Sequence, residues 1–323
     1  MNDLDRSILA TLAYYGSFGW PLTLVELYAR LIPQLRLGGR ATAVTLDDIT
    51  ERLEVLGKIG TVTARGGLYT LGAFDIADRV HMEKEQAQKW RHLRRWAWWL
   101  QAVPYIHALF ASGSLALGNV EADSDWDVMV VARSGRLYLA RLGLLAAASL
   151  MGRLRVKTDR DAADKFCFNH YVTTDGLALR HHSLYTAHGL ATLVPIMDTS
   201  RTLERLWQAN DWMGQYVPLP TSAEFVRRRV TPSRFLMTVQ RTLEVILDAT
   251  LGDTLERGVR RWMQRRIAAT PATHEHGGRV SADDQELEFH PRSFEAVALV
   301  RYNATLERLG LGRFAESDSG LTR

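Results

Sequence analysis

Residues Ala111–Ala132 read ASGSLALGNVEADSDWDVMVVA, a Gly-Ser pair followed by a variable segment and then an Asp-x-Asp that opens an apolar run. Gly113 lets the backbone come close to a bound triphosphate, Ser114 adds a hydroxyl, and the segment Ser114–Gly118 aims free N–H groups at anionic oxygens. Alternate side chains of a strand share a face, so Asp125 and Asp127 point one way while Trp126 and Val128 point into a core. Two carboxylates held close together repel unless a cation lies between them, and hard oxygen ligands of this kind suit Mg²⁺ or Mn²⁺. A Gly-Ser turn and the acidic turn DSDWD could each serve structure alone. Their occurrence together at this spacing argues for a site.

The block resembles the signature of the polymerase-β-type nucleotidyltransferase superfamily, carried here by Gly113, Ser114, Asp125 and Asp127. The resemblance implies a small mixed β-sheet core with flanking helices. It implies transfer of a nucleoside monophosphate from a nucleoside triphosphate to a hydroxyl, with Asp125 and Asp127 holding Mg²⁺ or Mn²⁺ and Gly113 and Ser114 gripping the β- and γ-phosphates. It also implies a third carboxylate on a later strand. The expected strand, KFCFNHYV, has none: Phe166, Phe168, His170 and Val172 alternate with Cys167, Asn169 and Tyr171. Asn169 could take the position as a neutral ligand, and Asp161, Asp164 or Asp175 could reach in from flanking loops. Without that carboxylate a metal is held less firmly and a base is lost, so a non-catalytic nucleotide-binding regulator or DNA-binding protein on the same fold stands beside the enzyme as an alternative.

The 323 residues are enough for one large or two to three small cores, and 46% hydrophobic with 24% charged residues is ordinary for a folded protein. A net charge of +4 and a pI near 9.3 permit contact with polyanions without requiring it. The lone cysteine, Cys167, excludes an intrachain disulfide and fits a reducing compartment, so the cytoplasm is expected. The start, MNDLDRSILATLAYYG, has acids where a signal peptide needs bases, and the longest apolar run, Leu142–Met151, is too short to span a bilayer; no membrane role is expected.

The overall expectation is an α+β chain in four parts: a winged-helix domain over 1–75, a linker helix over 76–103, the nucleotidyltransferase core over 104–185, and a helical C-terminal region over 186–323. Helices are predicted at 3–14, 22–32 and from Thr45, whose hydroxyl caps TLDDITERLEVLGKIG with Asp48 at the capping-box position. Short β-prone runs at Thr61–Arg65 and Leu68–Leu71 meet at Gly66-Gly67 as a hairpin, and this order is similar to a winged helix. Its third helix is net negative (Asp47, Asp48, Glu51, Glu54 against Arg52 and Lys58), which favours docking or self-association over reading DNA. In the linker, Lys89, Arg91, Arg94 and Arg95 alternate with Trp90, Trp96, Trp98 and Trp99; such a stretch could stack on bases, and the favoured reading is a buried aromatic seam beside a solvated basic face.

Within the core, strands are predicted at Tyr105–Phe110, Asp125–Val131, Phe166–Val172 and, as a return strand, Leu177–Arg180, with a helix at Gly135–Leu150. Helices are predicted at Ala187–Gln215, Ser233–Ala269 and Phe289–Gly310, with a loop at His274–Gly278 and a frayed tail at Ser317–Arg323. His181, His182, His274 and His276 lack partners at ligand spacing, and Cys167 reads as a small core residue. On the predicted 233–269 helix Arg257, Arg261 and Arg265 fall on one face, beside the cluster Arg227–Arg229; this face could meet a phosphate backbone or an acidic partner, or be merely solvated. RNA such as a tRNA end is therefore the leading acceptor, with small molecules and protein hydroxyls open.

Overall fold

The computed structural model describes residues 1–40, 42–156, 162–198, 200–220, 228–274, 278–290 and 293–312. It is a mixed α and β structure, in which a six-stranded sheet carries an apolar cluster on each face and a three-stranded sheet lies near the N-terminus.

The first helices are set by their caps. Helix α1 (Asp3–Gly16) starts at Asn2 with Asp5, α2 (Leu24–Ala29) at Thr23 with Glu26, and α3 (Leu46–Lys58) at Thr45 with Asp48, each a reciprocal capping box. The hairpin of β2 (Thr63–Arg65) and β3 (Leu68–Thr70) turns on Gly66 and Gly67, both at positive φ (59° and 77°), as a tight two-residue hairpin requires. Helix α2 is shorter than predicted because Leu22–Thr23 pair with β3 as strand β1. Helix α1 buries nearly its whole circumference, since it lies between α3 and the C-terminal helix α11 (Glu295–Arg308).

Helix α4 (Ile76–Ala97) continues as the 3-10 turn Trp98–Ala102 and delivers β4 (Ile106–Ala111) to the large sheet. After the five-residue α5 (Gly113–Leu117) the chain returns antiparallel as β5 (Trp126–Ala132), then crosses over through α6 (Leu137–Leu150) to β6 (Phe166–Thr173), parallel to β5. A parallel neighbour needs such a crossover, and a helix is its usual form. Then come α7 (Leu184–Ala191), β7 (Val194–Asp198), α8 (Thr202–Ala209), α9 (Arg234–Thr250), α10 (Gly252–Ala268), β8 (Arg279–Ala282) and β9 (Glu286–His290). The sheet order is β7-β4-β5-β6-β9-β8. Met129, Val131 and Val172 face the cluster built with α1, α7, α8 and α11. Trp126, Val128, Val130 and Tyr171 face the one built with α4, α6 and α10.

Several expectations are corrected. Leu177–Arg180 is not a strand: the Asn210 side chain accepts from Leu179 N–H (2.9 Å) and donates to Leu177 O (2.7 Å), so the segment's polar groups are satisfied without a ladder, and the free edge of β6 goes to β9. Ala187–Gln215 is not one helix, because the run LVPIM forms edge strand β7, where Pro195 is tolerated. Residues 233–269 break at Gly252, where a Cβ would lie 2.8 Å from Leu247 O. The C-terminal region is not all helix: residues 279–290 hold the hairpin β8–β9, and α11 starts at Glu295 rather than at Phe289; the hairpin's turn is held by Asp283 Oδ1, which accepts from Gln285 and Glu286 N–H at 2.8 Å each. Ser317–Arg323, Arg227, Asp161 and His276 lie outside the described residues.

Glu256 of α10 fastens that helix to α6. Its two carboxylate oxygens accept from Tyr138 and Leu139 N–H (2.8 and 2.9 Å), capping the first turn of α6 from another helix. Glu256→Ala strands two donors in a mostly buried place, so urea unfolding is expected to show a loss of about 2–4 kcal/mol; a change within the measurement error would show that this tie is replaced by solvent.

Candidate functional site

Strand β4 ends beside β5, and Ser112 N–H donates to Asp127 O (3.0 Å). The next residue, Gly113, turns at φ 59°, and a Cβ there would stand 2.5 Å from Asp127 Oδ2. Only glycine brings the Gly-Ser backbone against the carboxylate in this way. Asp125 lies just before β5 and Asp127 within it, yet the strand geometry keeps them together: their carboxylate oxygens and the Cys167 sulfur all lie within 4.8 Å of one another. Trp126 points through the sheet and packs edge-on against Phe166 (centroids 5.0 Å apart).

On the neighbouring strand, Cys167 is level with Asp127. A register shift then follows, in which Val128 pairs with Phe168 and Met129 with His170. The extra residue of this bulge is Asn169, so both Asn169 and His170 reach the Asp127 side of the sheet. Asn169 Nδ2 donates to Asp127 Oδ1 (2.6 Å), and Arg155 pairs with Asp125. Burial and then the Asp125 charge push the Asp127 carboxyl up from 3.8 to about 7, despite relief from Arg155, Cys167 and Asn169. Burial, with the two carboxylates next, drives the Cys167 thiol far above its ordinary value, so it stays protonated and is no nucleophile.

Residues that the sequence reading assigned elsewhere brace the site. Lys89, read there as part of a solvated face, is 3% exposed, and its Nζ donates to Ala122 O (2.8 Å) and Ser124 O (2.7 Å) and pairs with Asp164 (3.3 Å). It pins the loop that leads into Asp125. Gln86 Nε2 donates to Leu115 O (2.9 Å), and Gly118, at φ 113°, leaves no room for a Cβ beside Trp20. The available signal was its place four residues before Leu93, on the side of α4 that carries that apolar residue.

The remaining candidates divide by position. Asp164 is engaged by Lys89 and His92 rather than by the carboxylate pair. Asp175 follows the far end of β6, where its N–H donates to Ser134 Oγ (3.2 Å) beyond the last residue of β5, so it is at the opposite end of the strands from Asp127 and cannot share a ligand with it. Arg257, Arg261 and Arg265 are exposed on α10, in the layer behind the sheet, away from the Asp127 face. A cavity of about 510 Å³ opens on that face. It runs from Ser112–Ser114, Asp127 and Asn169 past His170 and Arg279 to Phe18, Tyr185 and Phe294.

No family model, curated protein or solved structure matches the chain. Among the described residues no helix is long and apolar enough to cross a membrane.

The donor set fits a hard divalent ion: two adjacent carboxylates, one of them reluctant to ionise alone. A carboxyl whose pKa rises on folding lends stability below its unfolded value that is lost as pH climbs through the folded one. In EDTA, the wild-type protein should therefore lose melting temperature relative to Asp127→Asn between pH 4 and 7. At pH 8, Mn²⁺ should raise the melting temperature of the wild type and leave the variant unmoved; a pH-independent difference and no response to Mn²⁺ would reject the pair as a cation site.

Proposed function

We propose that this chain is a divalent-metal-dependent nucleotidyltransferase of the polymerase-β type, moving a nucleoside monophosphate from a nucleoside triphosphate to an acceptor hydroxyl. The observation that carries the reading is the contact between Gly113 and Asp127, because it joins the phosphate-gripping turn to the cation-holding pair in one rigid unit. Asp125 and Asp127 would hold Mg²⁺ or Mn²⁺; bound there, the metal supplies neutralisation of the triphosphate and a more acidic attacking hydroxyl. Ser114 and the N–H groups of the turn orient the β- and γ-phosphates, and Asn169 holds the Asp127 carboxylate in its rotamer. Arg155 neutralises Asp125 in the ion-free protein and must swing away, or turn to the phosphates, when the site fills.

The geometry moves the preferred acceptor from RNA to a small hydroxyl compound. The argument for RNA was the Arg257, Arg261 and Arg265 stripe, and this stripe lies behind the sheet, whereas the face with the carboxylates leads into a bounded cavity. The N-terminal part has the element order of a winged helix, but Tyr14 and Phe18 line that cavity and the outer side of α3 is acidic, which supports a role as wall and docking surface rather than DNA reader.

A second reading, a nucleotide-binding regulator without turnover, is favoured by the neutral Asn169 and the protonated Cys167 beside the pair where a carboxylate is expected. Each α-labelled nucleoside triphosphate, incubated with Mg²⁺ or Mn²⁺ and with RNA, protein or metabolite fractions of a cell extract, separates the two. Label in the metabolite fraction that falls at least 100-fold in Asp125→Asn/Asp127→Asn supports transfer to a small acceptor, a size of loss typical when electrostatic stabilisation at a reacting group is removed. Label in RNA alone would reverse the acceptor assignment, and nucleotide binding without any label would select the regulator.

A further inference from the structure

The carboxylate missing from β6 leaves the proposed reaction without an evident base. The strand holds another group that can accept a proton. His170 follows Asn169 in the bulge and lines the same cavity as Asp127. Asp127 is level with Cys167 and Met129 with His170, so His170 pairs two residues along β5 from Asp127 and lines the same cavity.

The partners of His170 fix its chemistry. Its Nε2 lies 2.9 Å from Glu286 Oε1, and Glu286 is 8% exposed. In the neutral tautomer that donates Nε2–H to Glu286, Nδ1 keeps its lone pair. Glu288, on the same face of β9 two residues on, also offers an oxygen within 4.8 Å of this pair, so a second cation site has to be considered. Arg279 argues against it: the guanidinium clamps Glu288 through Nε (2.9 Å) and Nη2 and reaches Glu295 through Nη1 (2.8 Å), so a fixed cation already occupies that corner. Glu286 is left to His170, the arrangement in which a carboxylate holds an imidazole in one tautomer and steadies its protonated form. The charged and titratable groups around the ring are Asp127 on β5, Glu286, Glu288 and His290 on β9, Arg279 on β8 and Glu295 on α11.

We propose that His170 is the general base of the transfer and that Glu286 is its positioning residue. The proposal rests on the nucleotidyltransferase reading above. As the acceptor oxygen bonds to the α-phosphorus, its proton passes to His170 Nδ1, and the bond from the α-phosphorus to the bridging oxygen breaks, its electron pair leaving with pyrophosphate. The protonated imidazole then returns its proton to solvent.

The test uses the full-length protein, α-labelled nucleoside triphosphate with Mg²⁺, and the extract fraction that the wild type labels. His170→Ala should lower kcat by about 100-fold or more, the size of a general-base contribution. Its affinity for the triphosphate with Mg²⁺, read by equilibrium dialysis, should stay within twofold, and added imidazole should restore part of the rate. Glu286→Gln keeps the side-chain shape and should lower kcat about tenfold with KM for the triphosphate unchanged, which covers the case in which His170→Ala does not fold. Wild-type rates in both variants would overturn the assignment and leave the nucleotidyltransferase intact. A parallel loss of triphosphate affinity and rate, without imidazole rescue, would overturn it in favour of a structural histidine. If the wild type labels no fraction, the reaction itself fails, and the base with it.

Discussion

One close approach organises the site: the backbone at Gly113 lies against the carboxylate of Asp127, with the Ser112 N–H tied to the Asp127 carbonyl. The hydrogen bond sets the register of β4 on β5, and the missing side chain allows the turn to fold over the strand end. Everything that surrounds this contact serves to hold it. Lys89 fixes the incoming loop through two carbonyls, Gln86 holds α5, and Trp20 from the N-terminal part presses on Gly118. Helix α4 is thus a spine that transmits the position of the first small sheet to the mouth of the large one.

The two faces of the large sheet carry different sets of titratable groups, although Arg279 and Arg301 also line the cavity. Arginines accumulate on α10 behind it, in contact with solvent, while the acidic and imidazole groups Asp127, His170, Glu286 and Glu288 gather on the cavity side. Strand periodicity produces this separation, because residues two apart share a face and the bulge at Asn169 adds one more polar side chain to it. A net positive chain can therefore hold a locally acidic centre, and its overall pI says little about what enters the cavity.

How much of this was legible depended on the range of the interactions. The carboxylate pair, the Gly-Ser turn, the caps at Thr45 and the Gly66-Gly67 hairpin depend on neighbours in sequence, and all are present where the residues predicted them. The strands β7 and β9 were missed because each is paired across long separations. LVPIM and ELEFH are too short for periodicity to separate from helix or loop, and a proline in the first removes one more signal. Glu286 was invisible for the same reason: it becomes a neighbour of His170 only through β9. Lys89 was misread because a lysine among tryptophans usually covers apolar surface with its stem, and here the whole side chain is buried against carbonyls that the sequence could not bring to it.

The neutral residue at position 169 has an electrostatic reason. Asp127 is already hard to ionise, since it is buried beside Asp125. A third carboxylate in place of Asn169, whose amide lies 2.6 Å from Asp127, would raise that difficulty further. An amide in its place donates to Asp127 and relieves the pair. In the proposed reaction the proton acceptor is better placed one residue along, where the bulge turns His170 to the same cavity and its partner Glu286, beside the Arg279-clamped Glu288, stands apart from the Asp125–Asp127 pair. The imidazole accepts a proton without adding an anion to the centre, so the site separates the tasks that one extra carboxylate would otherwise combine.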